Sequence, residues 1–133
     1  MKLSLLGTIA LGIATLVTVV PVSAHHSFSA EYDSKKVVTL TGTVTKVEWM
    51  NPHVYFYVDV VGEDGKVSNW AFEMGPPNGL QRSGWTRNTM KIGDEVIVNG
   101  TLAKDGSKQV NARTVTTADG QKLGAASSEG KGN

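Results

Sequence analysis

From His53 to Val60 the chain alternates: Val54, Phe56, Val58 and Val60 are apolar, and His53, Tyr55, Tyr57 and Asp59 stand between them. A period of two sends the two sets to opposite faces of a β-strand. The aliphatic residues and Phe56 are therefore assigned to a core, and the histidine and tyrosines to the other face. Gly62-Glu63-Asp64-Gly65-Lys66 follows as a hairpin turn, with Asp64-Gly65 at the positions that demand positive φ. A third strand, Val67 to Glu73, then pairs antiparallel with this one.

The rest of the body reads the same way, as β-branched and aromatic runs separated by Gly, Asp and Asn. The first strand is predicted over Val38–Trp49 and the second over His53–Val61. Gly75-Pro76-Pro77 stops the third strand, and Asn78–Trp85 has room only for a short helix before the Lys91-Ile92-Gly93-Asp94 turn. Strand four covers Glu95–Leu102, and strand five, after Lys104-Asp105-Gly106, covers Gln109–Thr117. Three strands, a helical connector and two more strands, with Gly42 at a bend of the long first strand, describe an all-β, OB-fold-like Greek-key barrel of five strands. A small β-sandwich is the alternative. From Gly124 onward Gly, Ser, Ala and Lys offer no large apolar group to offset ordering entropy, which predicts a disordered tail over 124–133.

The amino-terminal end reads as an address rather than structure. Lys2, an apolar run from Leu3 to Val20, Pro21 and then Val22-Ser23-Ala24 have the order of a cleaved signal peptide over residues 1–24, and so predict a periplasmic protein. A transmembrane anchor is the competing reading, diluted by Gly7, Thr8, Gly12, Thr15 and Thr18. Cleavage after Ala24 makes His25 the first residue of an N-terminal arm, 25–37, ahead of the barrel at 38–123, and no stable membrane insertion is expected afterwards.

Charge and cysteine content narrow the function classes. The chain has 13 Lys and Arg against 12 Asp and Glu, and loss of Lys2 with the leader balances the two signs. Basic and acidic residues are interspersed, so the basic patch of a nucleic-acid binder is missing. With no cysteine, disulfides, thiolate metal sites and a lipidated N-terminal Cys are excluded. There is no Gly-x-Ser-x-Gly elbow and no phosphate loop, so hydrolase chemistry has no support.

All three histidines, His25, His26 and His53, are candidate ligands. An N-terminal histidine offers its α-amine, which titrates near neutrality, and its ring Nδ1. His53 would complete a tetragonal nitrogen set suited to Cu(II), with His26 as substitute or helper. The predicted hairpin brings Glu73 near His53, either as a further ligand or as a group that orients the ring. Met50, Met74 and Met90 are potential thioether ligands, although core filling is the usual work of methionine. Trp49, Met50, Tyr55 and Tyr57 form a potential surface for a partner protein or small ligand. Arg82 and Arg87 flank Trp85, either as an anion or saccharide clamp or around a tryptophan that plugs the barrel.

The runs His25-His26-Ser27-Phe28, Leu40-Thr41-Gly42-Thr43-Val44, Glu48-Trp49-Met50-Asn51-Pro52-His53, Trp70-x-Phe72-Glu73-Met74-Gly75 and Gly84-Trp85-Thr86-Arg87 resemble a family of short exported bacterial proteins classed as a domain of unknown function. The resemblance spans nearly all of residues 25–133. It implies an exported, OB-like single domain and brings no activity with it. The reading of the residues is a copper-binding protein rather than a catalyst; the alternative is an adaptor or ligand-binding module without a metal, for a partner protein or a saccharide.

Overall fold

The computed structural model describes residues 27–129. A short helix α1, Ser27–Glu31, leads directly into the strand β1, Tyr32–Glu48, and β2, Tyr55–Val61, and β3, Val67–Glu73, follow. Helix α2, Pro77–Arg82, connects them to β4, Glu95–Ala103, β5, Gln109–Thr116, and β6, Lys122–Gly124. The protein is all-β with two short helices. The predicted signal peptide, His25 and His26 lie outside the described residues, and among the described residues no helix is long and apolar enough to cross a membrane.

The six strands form one sheet in the order β3-β2-β1-β4-β5-β6. Neighbours in that order are antiparallel, and an additional parallel pairing joins β3 to β5 through Ala71–Gln109, Phe72–Val110 and Glu73–Asn111. The pairings thus run from β1 through β2, β3, β5 and β4 back to β1.

One long strand serves two neighbours because it changes partner along its length. Residues Val37 to Thr43 of β1 pair with β4, and Thr43 to Glu48 pair with β2. Gly42 sits at the exchange. A Cβ there would lie 2.1 Å from the Asp59 carbonyl oxygen and 2.7 Å from Val58 Cγ1, so only glycine lets β1 and β2 approach this closely.

The alternation of the second strand matches its burial. Val54, Phe56, Val58 and Val60 are buried, and His53, Tyr55, Tyr57 and Asp59 are half-buried on the other side. Phe56 pairs with Phe72 across β2 and β3, and their rings stack at 5.0 Å in the centre of the core. Pro77 opens α2, where a missing N–H costs nothing, and the helix buries Leu80. Just beyond it Trp85 is buried and donates from Nε1 to the Gly124 carbonyl at 2.9 Å. The tryptophan therefore fills the core rather than a clamp.

A short sixth strand, β6, joins the five expected, the ends of several elements shift by one to three residues, and three larger differences from the sequence reading remain. The predicted arm over 25–37 is already strand from Tyr32. Its polar Asp33-Ser34-Lys35-Lys36 stretch looks like loop in sequence, yet Tyr32 lies opposite Ala103 of β4, with an irregularity in the register before Val37. His53 precedes β2 rather than opening it: the ladder with β3 starts two residues later at Tyr55, and Val54 bonds ahead of it, its N–H donating to the Gly75 carbonyl and its carbonyl accepting from Met74.

The third correction concerns the predicted tail. As far as Glu129 it packs on the sheet: Ala125 is buried, Gly75 donates to the Ala125 carbonyl at 2.8 Å, and Ala125 donates to the Arg113 carbonyl at 2.9 Å. The lack of a side chain at Gly75 is what lets the segment dock, since a Cβ there would fall 2.1 Å from the Ala126 carbonyl oxygen. Glu129 ties the end down by accepting from the Arg113 guanidinium and from Thr101 at 3.0 Å. The hydrogen bonds from the Arg113 guanidinium, more than its charge, hold the Glu129 carboxyl below its usual range. The tie is therefore complete above the ordinary carboxylate range and is lost as acid protonates Glu129. Glu129→Gln should lower global stability by less than about 1 kcal/mol, as for other partly solvated pairs, while hydrogen exchange at the Gly75 and Ala125 amides accelerates. Unchanged exchange at both amides would show that the pair does not hold the segment.

Candidate functional site

Antiparallel pairing of β2 and β3 sets Tyr55 opposite Glu73, and the loop before β2 brings His53 to the same spot. Its Asn51–Pro52 peptide is cis. Glu73 is only 6% exposed, a costly place for a carboxylate without partners. Its partners are on hand. Oε1 lies 2.5 Å from His53 Nδ1, and Oε2 accepts a hydrogen bond from the Tyr32 hydroxyl. The Tyr32 oxygen in turn accepts from Gln109 Nε2 at 2.7 Å.

The array draws on four parts of the chain: the start of β1, the loop before β2, the end of β3 and the start of β5. Burial first, then the hydrogen bond to Glu73 and its charge, raise the Tyr32 phenol far above the ordinary range, so it remains a donor. Tyr55 borders the same carboxylate. Burial, the charge of Glu73 and a hydrogen bond to it push the Tyr55 phenol up to about 12.

An open cleft of about 560 Å³ adjoins the array, lined by Glu31, Tyr32, Tyr55, Lys104, Asp105 and Gln109 among others. Its wall is closed by α1, which is fixed to the β4–β5 turn: Lys104 N–H donates to the Glu31 carbonyl at 2.8 Å and Lys104 Nζ donates to Ser29. Phe28 of α1 stacks on Tyr32 with centroids 5.4 Å apart.

The other predicted site residues divide clearly. Tyr57 is engaged locally, donating to Glu48 at 3.1 Å with Lys46 Nζ 5.2 Å from its ring centroid, and Lys46 also pairs with Glu48. Met74 and Met90 are buried in the core, so neither presents a thioether to solvent, whereas Met50 is 51% exposed. Trp49 packs against the core. Arg82 and Arg87 are exposed, and with Trp85 buried between them they form no stacking clamp. Arg87 instead borders an apolar seam with Trp49, Met74, Trp85 and Met90.

The residues that stay together are thus His53, Glu73 and Tyr55, joined by Tyr32 and Gln109, neither of which the sequence marked as a site residue. Two of the runs quoted for the family resemblance, Glu48–His53 and Trp70–Gly75, meet in this array, and the family model for a family of unknown function (DUF6152) matches residues 14–112. The chain belongs to that family. No curated protein matches it. Within this DUF6152 chain, no group of three or more His, Cys, Asp or Glu side chains able to hold a metal occurs among the described residues. His53 and Glu73 alone are two such groups, and both Glu73 oxygens are occupied. What the pair offers chemically is one imidazole with Nδ1 committed to a buried carboxylate, which leaves Nε2 as the nitrogen available to a ligand.

Proposed function

We propose that this chain is an exported, periplasmic copper-binding protein built on an OB-like barrel, and that it binds without catalysing. The circuit of pairings from β1 back to β1, with a helix between β3 and β4, supports the barrel reading. The ligands are the α-amine and ring of His25, exposed by cleavage after Ala24, and Nε2 of His53, with His26 able to substitute.

The observation that carries the proposal is the contact between His53 Nδ1 and the buried Glu73. Metal-bound histidines characteristically donate their second nitrogen to a carboxylate, which fixes the tautomer and raises the basicity of the metal-facing nitrogen. Glu73 orients the ring in this reading and is not itself a ligand. The tether is short: α1 contributes about 7.5 Å of rise, and two further residues span at most about 7 Å. The proposed amine is thus closely leashed to Tyr32, which shares Glu73 with His53.

Titration of the protein starting at His25 with Cu(II), followed by electron spin resonance, tests this. We expect one tetragonal nitrogen-ligated site, and at least a hundredfold weaker binding when one extra residue precedes His25. Equal affinity in the two forms would exclude the N-terminal ligand. The cleft beside Tyr55 favours a second reading, a metal-free module for a small ligand or partner protein. Under it Tyr55→Ala removes binding and His25→Ala leaves it intact.

A further inference from the structure

We infer that Tyr32 is a positioning residue that couples docking of the amino-terminal arm to the orientation of the His53 ring, acting through Glu73. The inference deepens the metal-site reading and rests on His53 being a ligand there.

Glu73 has two oxygens and two separate tasks. Oε1 faces His53 Nδ1, and Oε2 takes the Tyr32 hydroxyl. With Oε2 held, the carboxylate plane is fixed and Oε1 is presented to the imidazole in one direction. Gln109 prevents the hydroxyl from turning away, because its Nε2 donates to the Tyr32 oxygen and directs the O–H toward Glu73. Removal of the hydroxyl leaves a buried acceptor without its donor, and the carboxylate must rotate to find another. The His53 ring follows.

Tyr32 is also where the arm is anchored. Its ring stacks on Phe28 of α1, and both Lys104 contacts fix the same helix. Tyr32 itself is held in β1 opposite Ala103, so an arm that lifts from the β4–β5 turn removes the Phe28 packing from its ring and loosens the hold of its hydroxyl on Glu73. Arm position and imidazole orientation form one linked equilibrium, so a ligand that grips both ends favours the docked arm.

The test is the Tyr32→Phe variant, which keeps the ring and its stacking and removes only the hydroxyl. In metal-free protein labelled with 15N-histidine, at about pH 8.5 where an ordinary imidazole is neutral, nuclear magnetic resonance reports which His53 nitrogen carries the proton. We expect the wild type to hold it on Nδ1, and Tyr32→Phe to give a mixture with Nε2. Tyr57→Phe, a hydroxyl deletion two positions from Tyr55 on the same strand, should leave His53 unchanged.

Copper affinity should fall at least tenfold in Tyr32→Phe. A folded Tyr32→Phe protein with an unaltered His53 tautomer would overturn the inference. Should that variant not fold, Gln109→Leu carries the same test, with a partial shift expected and no shift overturning it. Absence of copper binding by the wild type would instead remove the metal reading, and the tautomer measurement would still decide the role of Tyr32.

Discussion

Glu73→Ala should lose about 3 kcal/mol of stability and, on the proposed copper site, at least most of the affinity for Cu(II). The estimate follows from what is left behind. The buried Tyr32 hydroxyl is stranded without an acceptor, which costs about 1–3 kcal/mol, and the half-buried His53 Nδ1–H loses its acceptor as well. Glu73→Gln keeps the volume and one acceptor oxygen, but its amide nitrogen must face one of two donors, so we expect about half the loss. Urea unfolding measures the stability change and Cu(II) titration the affinity. A Glu73→Ala protein as stable as wild type would mean that these donors find other partners, and the site would have to be redrawn without the carboxylate.

Gly42→Ala should be as damaging although it adds a single methyl group. The new Cβ would sit 2.1 Å from the Asp59 carbonyl and 2.7 Å from Val58 Cγ1. One contact is with backbone, so no side-chain rotation relieves it, and β1 must move off β2 where it changes partner. Overpacking of this kind costs about 1–3 kcal/mol and sometimes more. At roughly 5 °C per kcal/mol for a domain of this size, the melting temperature should drop by about 15 °C. Calorimetry checks it, and a shift below about 3 °C would show that the strands separate easily. Gly65, with φ of 77° and nothing within 4 Å of its would-be Cβ, is the contrasting case, where only backbone conformation is at stake.

Local periodicity revealed most of this architecture. Alternation along residues 53–60 identified the core face of β2, and the Asp64-Gly65 turn gave the register that brings Glu73 to His53. Proline punctuation located α2, and Gly42 falls where β1 changes partner. What escaped was decided by partners distant in the chain. Tyr32 stands 41 residues from Glu73 and Gln109 stands 77 from Tyr32, and no pattern near either residue signals the bond. The carboxy-terminal segment was misread for a related reason. Its small residues suggest disorder by composition, but the missing side chain of Gly75 lets Ala126 approach the end of β3, and backbone bonds to Gly75 and Arg113 hold the segment. Methionine was ambiguous for chemical reasons, since a thioether serves equally as filler or ligand, and burial alone separates Met74 and Met90 from Met50.

The parallel contact between β3 and β5 also imposes an order on self-assembly. β1, β2 and β3 are consecutive, and pairing of β2 with β3 needs only a tight turn, so this meander can form early. Closure must wait for Gln109–Asn111, because β3 and the leading half of β1 gain their remaining neighbours only from the second half of the chain. Loop-closure entropy makes such late pairings slow. Until they form, the unsatisfied strand borders are open to neighbouring molecules, and a nascent polypeptide shorter than about 110 residues has a window of vulnerability that the completed sheet does not.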